Sequence, residues 1–323
     1  MDIFYPIQVF ADFIVYNLLN ISGHLGESLN FFIVDSIKIV FLLMLITQVM
    51  SFVNVIFPIE KVRNFLGKRK LFGLEYLLSS LFGAITPFCT CSSIPLFVGF
   101  LKGGIPLGVT FAFLITSPLV NEVAVAMFLG IFGLKVTLIY MFSGIVLGVI
   151  GGMILGKMNL EKYIAPFVLD MRNKEDNREV EIKQKSGKQI WKESSKEGWD
   201  ITKKVLPYVL LGVGLGAIIH GFVPTGFFER HITADNPFAV PIAVIIGIPM
   251  YANATSIIPI VEALISKGIP LGTGLAFMMA VVGLSLPEFL ILKKVMKIQL
   301  LLIFFGMIGF FMILLGYFFN LVL

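Results

Sequence analysis

Residues 83–110 read GAITPFCTCSSIPLFVGFLKGGIPLGVT and residues 247–274 read GIPMYANATSIIPIVEALISKGIPLGTG. The second Ile-Pro-Leu-Gly follows the first at a fixed offset (269 − 105 = 164), and the same offset lays Cys89 over Asn253, Cys91 over Thr255, Ser92 over Ser256 and Pro95 over Pro259. Each copy sets prolines, small residues and polar side chains inside an apolar stretch. Interrupted hydrophobic segments at matching places in two halves mark the binding region of membrane transporters.

The rest of the chain fits that setting. It is 57% hydrophobic and only 14% charged, against about 25% charged in a soluble domain. Apolar runs at about 36–57, 104–130, 134–156, 205–223, 237–265, 268–292 and 298–322 are each long enough for a hydrocarbon core of about 30 Å. The expected class is an all-α polytopic membrane protein with about 8–10 membrane segments. Nothing suggests a transmembrane barrel, whose strands would alternate apolar and polar in stretches of about ten. The net charge of +5 is no nucleic-acid signal, because the basic residues collect in loops as they do at a cytoplasmic membrane face. Residues 3–21 hold Asp12 and Asn17 among apolar neighbours and read as either a first span or an interfacial helix. No lysine or arginine precedes Lys38, so the basic start of a cleaved signal peptide is not expected.

Charge divides the chain. Residues 157–204, including MRNKEDNREVEIKQKSGKQ, are too polar to bury a core and read as a tether joining two halves, with a regulatory or partner-binding loop as the alternative. Trp191 and Trp199 near its end suit an interfacial helix. The expected order is an N-terminal segment 1–30, a membrane repeat 31–156, a charged linker 157–204 and a second repeat 205–323.

Loop charge predicts orientation. Lys61, Arg63, Lys68, Arg69 and Lys70 follow the first span of the first repeat, whereas the matching loop 225–236 holds Arg230 alone. Before the last span the bias reverses, with Lys135 alone against Lys293, Lys294 and Lys297. Basic loops favour the cytoplasm, so the two repeats are expected to be inverted. With 60–70 and 157–204 both cytoplasmic, segment 74–101 must enter and leave on one side, as a re-entrant hairpin or two short half-helices, and 237–265 must do the same from the other side. The reading is a multi-pass protein of the cytoplasmic membrane with its linker inside the cell.

Irregular backbone survives in a bilayer only when buried in protein or lining a polar cavity. Pro87 and Pro95 bracket FCTCSSI; Pro249 and Pro259 bracket MYANATSII. These four prolines are read as helix breaks, with Ser92-Ser93 and Thr255-Ser256 capping the helices that restart after them. The two helix starts would favour an anion or polarised ligand. Cys89 and Cys91, the only cysteines, are poorly spaced for an unstrained disulfide and lack the Cys-x-x-Cys redox spacing. Thiolates favour soft partners such as Cu(I), zinc and, by extension, trivalent arsenic; the alternative is two small residues packing a tight bend. Glu122 in SPLVNEV and Glu288 in SLPEFL follow the two copies. Their separation of 288 − 122 = 166 implies a two-residue insertion. Glu122, followed by VAVAMFLGIF, reads as the deeper of the two, and Glu288 beside Lys293 as nearer the surface. Acidic groups retained in a membrane tend to carry protons or coordinate cations. Asp35 and Lys38 are spaced to pair, and His220 reads as structural.

TPFCTCSSIPLFVGFLKGGIPLG (86–108), ITSPLVNEVAV (115–125) and PMYANATSIIPIVEALISKGIPLGTGLAF (249–277) resemble the predicted permease family that includes organoarsenical efflux permeases. The resemblance covers most of the membrane part. It implies transport across the cytoplasmic membrane, with cysteine thiols handling trivalent organic arsenic at the positions of Cys89 and Cys91. The resulting expectation is a secondary transporter exporting a soft, thiol-reactive solute, with Cys89, Cys91, Ser92, Ser93, Asn253, Thr255 and Ser256 at the solute and Glu122 and Glu288 coupling protons. Its partners are a small-molecule substrate and the lipid bilayer, not nucleic acid, and neither cofactor nor metal is expected. Two alternatives stand beside it. One is a permease for a small sulfur compound or anion; the other is an intramembrane thiol-dependent enzyme, for which no histidine lies near the motif.

Overall fold

The computed structural model describes residues 5–56, 73–86, 90–165, 236–250, 252 and 254–323, with isolated positions between 199 and 217. Among them the structure is all helical apart from one isolated bridge, Ile164 to Met296. The first half contains α1 (Tyr5–Asp12), a π-helical continuation (Phe13–Leu18), α2 (His24–Ile56), α3 (Leu74–Ile85), α4 (Thr90–Lys102), α5 (Leu107–Leu119), α6 (Glu122–Ile131) and α7 (Gly133–Lys157), then a 3-10 turn (Leu160–Tyr163). The second contains α8 (Ala239–Gly247), α9 (Ala254–Ser266), α10 (Leu271–Gly283), α11 (Leu286–Val295) and α12 (Ile298–Val322).

Helices α7 and α12, 25 residues each, are long and apolar enough to cross a membrane. The pairs α5–α6 and α10–α11 pass the same test jointly, each bent by 45° at a short break. With α2 at 33 residues, about 50 Å at 1.5 Å per residue, these make a multi-pass membrane protein. Large side chains such as Leu134, Leu138, Phe142, Leu302, Phe310 and Leu314 are exposed on α7 and α12, as lipid-facing positions should be.

The expected spans 104–130 and 268–292 are therefore not straight. Asn121 explains the first break: its backbone is extended and its side chain accepts from Ala124 N at 2.8 Å, starting a new helix within an otherwise apolar run. Ser285 precedes α11 at the matching junction, and Pro287 is the second residue of that helix. The N-terminal segment also takes a definite form. Tyr5–Leu18 makes two short helical stretches that fold back on α2, where Gln8 donates to Asp12 and Asn30, and Asn30 donates to Asp12 at 2.6 Å. Its 14 helical residues (18 − 5 + 1) extend about 21 Å, short of a crossing of about 30 Å.

Helices recur at the sequence offset: α4 to α9, α5 to α10 and α6 to α11 each begin and end 164 residues apart, as 254 − 90, 283 − 119 and 295 − 131 show. The same chemistry builds the same turn twice. Gly104 and Gly268 have φ of 76° and 98°, which suits glycine. Ile105 N bonds back to Phe100 O at 3.0 Å and Ile269 N to Leu264 O at 3.2 Å, closing helix C-termini in the Schellman manner. Pro106 and Pro270 then lead into α5 and α10.

Close packing recurs as well. A methyl group on Gly108 would lie 2.5 Å from Gly152 O and 2.6 Å from Gly156 Cα, while Gly272 has no room against Gly316 and Asn320. Partners on α7 and α12 thus also sit 164 apart. Small residues let membrane helices approach to backbone contact. All of α5 is buried, as is α10 from Gly272 onward, so these two helices form the centre, with α3 and α7 around one and α8 and α12 around the other.

The halves meet reciprocally. α6 packs against α9, and its counterpart α11 packs against α4. Leu119 Cδ2 lies 2.9 Å from where Gly283 would carry a Cβ, so equivalent helix ends touch. Tyr140, near the start of α7, lies beside Phe319 near the end of α12 at 6.5 Å. Past the end of α7, Ala165 N reaches Val295 O at 2.8 Å and Lys297 N reaches Tyr163 O at 2.7 Å, just before α12 begins. These two equivalent helices run antiparallel.

Candidate functional site

α3 ends at Ile85 and α4 begins at Thr90; α8 ends at Gly247 and α9 begins at Ala254. Pro87, Cys89 and Asn253 lie outside the described residues, as do the side chains of Cys91, Ser92, Pro95, Thr255 and Ser256. The helices restart earlier than expected. α4 begins at Thr90 and α9 at Ala254, so Cys91-Ser92-Ser93 and Thr255-Ser256 occupy first turns and do not precede them. Pro95 and Pro259 consequently end no helix; each is the sixth residue of one. A proline there removes one amide donor near the helix start, which is milder than mid-helix. Pro249 is exposed in the turn after α8.

Ser93 is fully buried and its hydroxyl shares a 2.7 Å hydrogen bond with Ser117 on α5. It ties α4 to the core and is not open to a solute. More hydroxyls continue that seam. Ser80 pairs with Thr116 and donates to Ile145 O at 3.0 Å, Ser79 donates to Val109 O at 2.7 Å, and Tyr140 donates to Leu119 O at 3.0 Å. The equivalent positions in the second half (adding 164) are Ile257, Val281, Val244, Ala280, Ala243 and Phe304. One half is joined by hydroxyls where the other is joined by apolar contact.

The two carboxylates sit where the expectation placed neither. Glu122 is exposed, and Glu288 is 2% exposed with neither oxygen hydrogen-bonded. The expected two-residue insertion is absent, because α6 and α11 start 164 apart. Glu122 is the first residue of α6 and Glu288 the third of α11. Two residues turn a helix by about 200°, so the side chains leave on opposite faces: Glu122 outward, Glu288 into the protein. An exposed carboxylate on a membrane helix needs a water-filled cavity or the interface around it.

At the level of helices, α4, which opens on Thr90-Cys91, packs against α11 with its buried Glu288. α9, which carries Thr255-Ser256, packs against α6 with Glu122. Each interrupted segment of one half is thus joined to the acid-bearing helix of the other. The Asn121 cap and the α5–α6 break escaped the sequence reading, although an asparagine before Glu122 is a helix-start signal. No group of three or more potential metal ligands occurs among the described residues.

A family model for a predicted permease, ArsP_1, matches residues 24–321. UPF0718 protein MJ0584 of Methanocaldococcus jannaschii is 27% identical over 128 residues, 40% of this chain and 35% of that protein. UPF0718 protein YcgR of Bacillus subtilis is 36% identical over 76 residues, 24% of this chain and 26% of that protein. The matched region therefore spans about a third and about a quarter of these relatives. No solved structure matches the chain.

Proposed function

The chain belongs to the predicted permease family, and from that premise we propose that it is a secondary transporter exporting a small, soft, thiol-reactive solute, with a trivalent organoarsenical as the leading substrate. Cys89 and Cys91 bind the solute from the first interrupted segment. Ser92, Asn253, Thr255 and Ser256 supply polar contacts, and Glu122 and Glu288 are the coupling groups. The observation that carries the reading is the crossed packing of α4 on α11 and of α9 on α6: a solute held at either interruption acts on a helix whose neighbour bears a carboxylate.

Alternating access between two mirrored halves is the expected working principle. The recurrence at 164 residues, the contact of Leu119 with Gly283 and the antiparallel course of α7 and α12 support two inverted repeats, 31–156 and 205–323. In this arrangement 157–204 and 293–297 share the cytoplasmic side of the inner membrane, consistent with the backbone pairing of 163–165 to 295–297. Residues 1–30 add a helix at the membrane interface.

The experiment is phenylarsine oxide accumulation in inverted membrane vesicles. Wild-type protein is expected to drive uptake, and Cys89→Ser and Cys91→Ser to reduce it at least tenfold. Uptake unchanged in both variants removes the thiols from the mechanism. A substrate panel of sulfite, thiosulfate and other small anions tests the second solute class, which the helix starts at Thr90 and Ala254 would favour.

A further inference from the structure

Glu288 has an ordinary explanation, and the structure removes it. Ser285-Leu286-Pro287-Glu288 has the spacing of a capping box, in which serine caps the helix and glutamate reaches back to the serine amide. Ser285 makes no side-chain cap bond, and both Glu288 oxygens are buried without a hydrogen-bond partner. The first half shows a closed version of the same junction. Asn121, the counterpart of Ser285, caps Ala124 N at 2.8 Å. Ala124 itself, the counterpart of Glu288 (288 − 164), is a buried apolar residue. One junction closes its polar groups and buries a methyl; the other leaves the cap open and buries a carboxyl.

An ionised carboxylate without partners is far too costly to stay in such a place and is instead neutralised or paired. Among the described residues no lysine hydrogen-bonds it. Lys293 and Lys294 lie further along α11 and are exposed, as is Lys297 before α12. The other titratable groups on the elements packed against α11 are Tyr317 on α12, which is exposed and donates to Pro237 O, and Cys91 and Lys102 on α4. Tyr317 does not hydrogen-bond Glu288.

We propose that Glu288 is a monovalent-cation site, occupied by a proton or Na+ in the conformation described here and emptied during the transport cycle. Of the two coupling carboxylates, the buried one at the α10–α11 junction is the one that holds the ion in this conformation. Because α11 packs on α4, loading or unloading the ion acts on the helix that begins with the thiol-bearing turn. The site stands on geometry alone; its part in transport rests on the permease reading.

Infrared difference spectroscopy on the full chain in lipid nanodiscs, without solute, tests the site. If the ion is a proton, wild-type protein in Na+-free buffer shows a carboxylic-acid C=O band that Glu288→Gln lacks and Glu288→Asp retains at a shifted frequency. If it is Na+, exchanging choline chloride for NaCl moves the carboxylate stretches of wild type and not of Glu288→Gln. A wild-type spectrum that contains no such acid band and does not respond to Na+ overturns the proposal, and that reading needs no variant to fold. No solute is present, so the result is independent of transport. A working cation site in a protein that moves no solute would sink the permease reading and leave this one standing.

Discussion

Tyr140 donates its buried hydroxyl to the carbonyl of Leu119 at 3.0 Å, at the last turn of α5, where the following two residues leave the helix. The bond satisfies a carbonyl that the α5–α6 bend frees. In the second half the equivalent residue is Phe304 (140 + 164), which has no hydroxyl and stacks on Phe111 at 5.1 Å. Tyr140→Phe should therefore cost about 1–3 kcal/mol, the penalty of stranding a buried acceptor. Thermal unfolding in detergent measures it, and no loss of stability would show that the carbonyl finds another donor.

Asn121 and Ser285 hold the same place in the two bends but do different things. Asn121→Ala removes a formed cap and should destabilise by about 1 kcal/mol. Ser285→Ala removes a hydroxyl that caps nothing and should be close to neutral. The same unfolding assay compares the two, and equal losses would contradict the assignment of an open cap at α11.

Gly108 and Gly272 let α5 and α10 touch the backbones of α7 and α12. Gly108→Ala and Gly272→Ala each push these helices apart and should cost about 1–3 kcal/mol by overpacking. Gly130→Ala, where nothing lies within 4 Å, is the control and should leave the melting temperature unchanged.

Ser93 and Ser117 form a buried pair that the second half replaces with Ile257 and Val281. Either serine changed to alanine takes this bond from the other hydroxyl, whereas changing both removes donor and acceptor together. The double variant should lose less than the sum of the single ones, by at least about 0.5 kcal/mol. It should also keep its solute uptake, since Ser93 faces the core. Strict additivity would mean that the pair is not coupled.

Much of the fold was legible because the repeat lies in residues whose physics is local. The Gly-Ile-Pro-Leu-Gly and its counterpart dictate a helix end, a turn and a close helix contact wherever they occur, and both copies do so. Apolar length gave the membrane class. Two features were hidden. The bends at Asn121 and Ser285 fall inside continuous apolar runs, so hydropathy reads one straight span. The depths of Glu122 and Glu288 depend on helical phase, which is set by where α6 and α11 begin; a two-residue difference in position reverses the facing. Pro249 does lie in the turn after α8, but Pro95 and Pro259 fall inside α4 and α9, because a proline in the sixth position of a helix is compatible with helix that has already started.

The central claim is that the two halves are oppositely oriented, so that their interrupted segments enter the membrane from opposite faces. Gly103 and Lys267 occupy the same place in the turns that follow α4 and α9 (267 − 103 = 164). With Cys89 and Cys91 replaced by serine, a single cysteine at either position can be labelled in intact cells by a membrane-impermeant maleimide. The expected result is labelling of the Lys267→Cys variant from outside, and of the Gly103→Cys variant only after the membrane is opened. Labelling of both from the same side would contradict the account.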